Sequence, residues 1–180
     1  MFVFNSSKEY TMNEPSPNGH IPEPDGENAN GLRAYAYLGT FLEEDGWHPE
    51  PLTERHAYRC YYQGRNGELR CYAQIRTELE IFLFYAVATF KVPEDRRLSA
   101  AEFLTRANYG LRIGNFELDF NDGEVRYKSS LDFESETLTS NLIRRALYPA
   151  VETFDEYLPG LLRVVYGDKS PEEAIKEIED

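Results

Sequence analysis

A chain of 180 residues carrying a formal net charge of −13 can bury one core without disulfides or metals. Its acidity opposes both a nucleic-acid backbone and an anionic membrane surface. The longest apolar run, residues 81–90, falls far short of the ~20 residues a membrane-spanning helix needs.

The opening Met-Phe-Val-Phe-Asn run is too short, and lacks the basic flank, for a secretory signal. With only two cysteines, a reducing cytoplasm is the expected compartment. Residues 1–29 read as a disordered, acidic, Pro-rich arm. Pro15, Pro17, Pro22 and Pro24 sit among Asn, Gly and Glu with no apolar period. Asn5-Ser6-Ser7 matches a glycosylation sequon that a cytosolic chain does not use.

Residues 30–180 read as a single domain. Asn30 is placed to cap a helix reaching about Asp45 and closed by Gly46. Leu32, Tyr35, Leu38 and Leu42 recur at helical spacing, with Tyr37 and Phe41 as a second stripe. Two alternating strands follow, from His56 to Gln63 and from Leu69 to Arg76. Between them, Gly64-Arg65-Asn66-Gly67 supplies a hairpin in which Asn-Gly provides positive φ angles.

A third strand, about residues 79–90, is apolar at both parities: Phe82, Phe84 and Ala86 on one side; Ile81, Leu83, Tyr85 and Val87 on the other. It needs cover on both faces, and the second cover is a loop, a partner subunit or a ligand. Ser99 to Glu102 spells a capping box, with Leu98 and Phe103 as its staple, opening a helix that stops at Gly110. Leu111, Ile113, Phe116, Leu118 and Phe120 form a strand whose phase slips at Gly114-Asn115, which a β-bulge explains. Asn121-Asp122-Gly123 turns into a last strand bearing Val125, Tyr127, Ser129 and Leu131.

A long helix begins near Thr139 with the stripe Leu142, Ala146, Ala150, Phe154, Leu158, Leu161 and Val165. Pro149 and Pro159 should bend it, and Gly167 ends it. Ser170-Pro171-Glu172-Glu173 starts a short final helix. The order α-β-β-β-α-β-β-α(-α), with short strand connections, predicts an α+β protein built on an antiparallel sheet.

Chemistry-bearing patterns are sparse. His20, His48 and His56 share neither a helix face nor metal-ligand spacing. A phosphate loop, a nucleophile elbow and an HExxH motif are all missing. Residues 119–124 resemble a calcium loop, but the glycine comes one position early and Ser130 stands where the bidentate glutamate belongs, so a hairpin turn fits better. No catalytic residue, metal site or cofactor is therefore expected. Cys60 and Cys71 fall opposite one another if the loop has four residues. Small buried apolar residues are a commoner reading than a redox pair in a cytosolic chain.

The other hairpin face gathers Arg59, Tyr61, Gln63, Arg70, Tyr72, Gln74 and Arg76. From Arg55 to Arg76 five arginines meet one acid, Glu68, a net of +4. Arg112, Arg126 and Lys128 extend the pattern. Tyr and Arg are enriched where partners bind. An ordinary solvated face, its arginines paired with acids, arises from such residues slightly more often.

Several strings in order resemble the bacterial YbjN-like family, which shares the fold of type III secretion chaperones. They are Asn108-Tyr109-Gly110, Gly114-Asn115-Phe116, Asp122-Gly123-Glu124-Val125-Arg126, Tyr157-Leu158-Pro159 and Ser170-Pro171-Glu172-Glu173-Ala174. They cover residues 98–180; residues 31–97 match by pattern only. The resemblance implies a sheet flanked by helices, often dimeric, without a cofactor, in regulators of signalling or stress responses. The expected function is thus a non-enzymatic, protein-binding regulator or chaperone-like adaptor. It would be homodimeric, with no nucleic-acid or membrane partner, and would use the Arg59-to-Arg76 face. The alternative is a sensor binding a small anionic metabolite on that face.

Overall fold

The computed structural model describes residue 26 and residues 28–179. The expected arm therefore lies, but for its last positions, outside the described residues. Helix α1 (Ala29–Glu44) is followed by strands β1 (Glu50–Leu52), β2 (Ala57–Gln63), β3 (Glu68–Arg76) and β4 (Ile81–Lys91). Then come helix α2 (Arg97–Gly110), strands β5 (Asn115–Leu118) and β6 (Glu124–Asp132), and helices α3 (Ser140–Tyr166) and α4 (Pro171–Glu179). The strands form one sheet in the order β1-β2-β3-β4-β6-β5, antiparallel at every pair.

Strand alternation sends Cys60, Leu69, Cys71, Ile75, Phe82, Phe84, Val125 and Tyr127 to one face, where all are buried. Helix α3 packs its apolar stripe there, from Ile143 through Phe154 to Leu161. Helix α1 contributes Leu38 and Leu42, and α2 contributes Phe103 and Ala107. The core thus sits between one sheet face and one helix layer, the layered arrangement that an α+β chain adopts.

Local chemistry departs from expectation at several points. Helix α1 begins without a side-chain cap. Asn30 instead donates Nδ2 to Glu80 Oε2 at 2.8 Å and to the Glu136 carbonyl at 3.0 Å, a tertiary tie that wins over local capping. Helix α2 begins at Arg97, two residues before the expected cap. Leu98 is 78 % exposed and Glu102 pairs with Arg106, so neither capping box nor staple forms. The expected starts at Thr139 and Ser170 do form: Leu142 N donates to Thr139 Oγ1, and Ser170 and Glu173 bond reciprocally.

The expected long fifth strand is short. Residues 111–114 are irregular, and Gly114 carries the turn at φ +74°. There a Cβ would meet the Tyr127 ring at 2.4 Å. The register shift lies instead between Val87 and Lys91 of β4. Asn108 fixes β5 by accepting from Phe116 N at 2.7 Å and donating to its carbonyl at 3.1 Å. Strand β1 is absent from the sequence reading: three residues around Pro51 carry too little alternation to signal a strand.

Helix α3 is unbroken through Pro149 and Pro159. Proline removes the donor that would satisfy the carbonyl four residues back. For Pro159 that carbonyl is Asp155, and it accepts Asn66 Nδ2 at 2.8 Å instead. The Asp155 carboxylate, 7 % exposed, accepts from Arg65 N and Asn66 N, each at 2.9 Å. The hairpin is thus gripped from outside. Among its residues neither Asn66 nor Gly67 takes positive φ, contrary to the turn chemistry expected. Gly64 is needed for proximity: its Cβ would stand 2.1 Å from Asp155 Oδ1.

Candidate functional site

The four α-helices pack into the core on one side of the sheet, so the opposite face carries no α-helix among the described residues; only the turn at Thr53–Arg55 borders it, where the Arg55 carbonyl accepts Gln74 Nε2 at 2.9 Å. Register orders the side chains of this face in rows across the strands. One row runs Glu50, Arg59, Tyr72, Tyr85, Lys128, Asn115. The next runs Tyr61, Arg70, Val87, Arg126, Glu117. Gln74 and Leu83 sit in a third row and Arg76 and Ile81 in a fourth, while Gln63 closes the hairpin end opposite Glu68.

The seven residues singled out from the sequence therefore share one face. Arg126 and Lys128 join them; Arg112 does not, because it lies in the irregular segment before β5. The four-residue loop also sets Cys60 directly opposite Cys71 on the buried face. Both are free, and burial pushes the Cys60 thiol up to about 12. A thiol held so far from its thiolate form is a poor nucleophile, which favours the packing reading.

The electrostatics of the face are mixed. Arg59 Nε donates to Glu50 Oε2 at 2.8 Å. Glu117 takes Arg126 Nε and Lys128 Nζ, each at 2.7 Å. Burial would raise the Glu117 carboxyl, but Lys128 and Arg126 outweigh it and hold the group below the usual carboxylate range. Arg70 and Arg76 enter no ion pair among the described residues. The acids Glu50, Glu68, Glu117, Glu124 and Asp132 lie on edge strands or strand ends. Cations and tyrosines hold the centre. Counting the hairpin alone overstates the positive charge, since four of these acids lie on strands outside it.

The second parity of β4 is shielded from within the face. The Arg126 guanidinium lies 4.6 Å over the Tyr85 ring. Val87, between Arg70 and Arg126 in register, is only 5 % exposed. Long arginine stems cover apolar neighbours while their heads stay wet. Tyr61, at 50 % exposure, is the most open aromatic ring of the face.

Glu117 and Asp155 were missed as organising residues. Glu117 had a signal, its outward parity between Phe116 and Leu118. Asp155 had one as well, an acid four residues after Val151 and three before Leu158 within an apolar stripe. No group of three or more His, Cys, Asp or Glu among the described residues could hold a metal. No helix among them is long and apolar enough to cross a membrane.

Comparison with known proteins places this geometry in a family. Residues 36–163 match the model of the YbjN family, described as "Putative bacterial sensory transduction regulator". The match reaches well into the half that resembled the family by pattern alone, and it stops before α4. A crystal structure of YbjN from E. coli, described as "a putative transcription regulator", superposes with a TM-score of 0.53 at 15% identity. The alignment covers 73% of this chain and 87% of that one, and at that identity the likeness is one of fold. No curated protein matches the chain.

Proposed function

The chain belongs to the YbjN family, and on that premise we propose that it is a non-enzymatic regulator that binds another protein on its helix-free sheet face. The observation supporting this reading is the central row pair on that face. Tyr72 and Tyr85 lie side by side between Arg59, Arg70, Arg126 and Lys128, with acids confined to the rim. Aromatic area with directional cations at the centre is the composition of a binding hot spot. A partner segment presenting carboxylates would meet Arg70 and Arg76, the two arginines outside the ion pairs of the face.

A photo-crosslinking residue at Tyr72 tests the reading in native lysate. The expected result is one dominant crosslinked protein, lost when Arg70→Glu and Arg76→Glu are combined, with circular dichroism unchanged. Both arginines project outward, where substitutions usually change stability little. Crosslinking indifferent to the charge reversals would overturn the assignment of this face.

A further inference from the structure

The described chain begins beside one end of the helix-free face. Gly31 of α1 packs so closely on the Thr77 backbone that a Cβ there would overlap its carbonyl, and Asn30 bonds Glu80. The start of α1 is thereby pinned to the turn joining β3 to β4, directly after Arg76. The acidic, Pro-rich segment that precedes α1, outside the described residues, therefore joins the domain next to Arg76, which is exposed.

Three properties of that segment complement the face. The first is charge. Residues 1–27 hold Glu9, Glu14, Glu23, Asp25 and Glu27 against Lys8 alone, whereas Arg70 and Arg76 enter no ion pair among the described residues. Glu78 and Glu80 stand in the turn beside the junction, so like charge drives carboxylates away from it and toward the arginines. The second is composition. Pro15, Pro17, Pro22 and Pro24 accompany Ile21, and proline-rich segments dock on aromatic surfaces; Tyr61, Tyr72 and Tyr85 supply the rings. The third is reach. From Arg76 to Arg70 the strand covers ~20 Å at ~3.3 Å per residue, and the residues before Gly26 extend to ~80 Å. A tethered ligand is also present at an effective concentration of about millimolar, so weak contacts hold it.

We propose that the acidic segment before α1 lies across the helix-free face of its own chain, an intramolecular occupant that a protein partner must displace. Glu23 and Asp25 meet Arg76, Glu14 reaches Arg70, and the prolines rest on the tyrosines. A second copy meeting this face displaces the segment in the same way. The gating of a partner rests on the function proposed above; the docking itself does not.

The photo-crosslinking residue at Tyr72, placed in the purified full-length chain at nanomolar concentration, tests the docking. A crosslink within one chain is expected, mapped by mass spectrometry to residues 9–25. It should be lost in ~1 M salt, where charges are screened beyond about 3 Å. Glu14→Gln, Glu23→Gln and Asp25→Asn together should remove it, as should Arg70→Glu with Arg76→Glu. Adding Glu14→Lys, Glu23→Lys and Asp25→Lys to those reversals should restore it, which a misfolded variant would not do. In lysate the three-amide variant should capture more partner than the parent. Crosslinks joining two chains would put a second copy on the face; they, crosslinks mapping away from residues 9–25, or a yield indifferent to these charges would each overturn the proposal. Intramolecular crosslinking with no protein captured in lysate would leave the docking standing and remove only the function proposed above. A partner captured equally by parent and three-amide variant, with no intramolecular crosslink, would do the reverse.

Discussion

Asp45, just past α1, shows how much one side chain can organise. Its carboxylate accepts from Arg144 at 2.7 Å, from Tyr148 Oη at 2.7 Å and from Trp47 Nε1 at 3.3 Å, tying α1 to α3. Burial pushes its pKa up, but Arg144 and Tyr148 outweigh that and hold it below its ordinary value of 3.8. The folded state therefore binds this proton less readily than the unfolded chain. The resulting stabilisation is complete above the unfolded value and is lost as pH falls through the folded one. Asp45→Asn is expected to destabilise by roughly 1–2 kcal/mol at neutral pH. In denaturant melts repeated toward about pH 2, the gap between variant and parent should close. A gap constant with pH would mean that shape rather than charge matters at this position. The sequence showed Asp45 only as the end of a helix, because Arg144 and Tyr148 lie about a hundred residues away.

The grip of α3 on the β2–β3 hairpin joins two elements that sequence reading treated separately. The hairpin's position, its four-residue loop and the α3 stripe were all legible, since each depends on local alternation or helical period. Their clasp was not, because it needs a carbonyl freed by Pro159 and a carboxylate that meets Arg65 and Asn66 across ~90 residues. The missed start of α1 has the same origin, since Asn30 is drawn away from capping by Glu80 and Glu136 far along the chain; Glu102 instead pairs with Arg106 one turn on, a local i,i+4 contact that competes with the capping box. Strand β1 was too short to carry a period. Asp155→Ala should destabilise by roughly 2–3 kcal/mol, since two backbone donors lose their charged acceptor. Gly64→Ala should also destabilise, by crowding that carboxylate. In calorimetric melts the double variant is expected to be more stable than the two single losses predict, because removing the carboxylate relieves the clash. Simple additivity would place the strain of the glycine substitution elsewhere.

Across the whole molecule, α+β class, antiparallel pairing and the shared face of the seven outward residues were readable from periodicity. The sheet order and its one-sidedness were not, since they depend on which strands pair and on where the helices return. The helix-free face also bears on self-association. The half-buried residues Ile81, Leu83 and Tyr85 of β4 run along it, and a second copy docking there would complete their burial. On the proposal that the chain dimerises by this face, light scattering at micromolar concentration should give twice the chain mass. Leu83→Glu should return the monomer without unfolding it. Partner crosslinking at Tyr72 should then weaken as protein concentration rises, because the two events compete for one surface. A parent chain that scatters as a monomer would remove this mode of assembly. The division of the sheet into a face that folds and a face that meets solvent has a genetic corollary. Within each of β2, β3 and β4, a saturating library should split by alternate position into two populations, the buried Val87 excepted. Inward changes should reduce abundance in the cell, while outward changes should leave abundance intact and alter only what the protein does. Drift could therefore reassign the partner without passing through unstable ancestors.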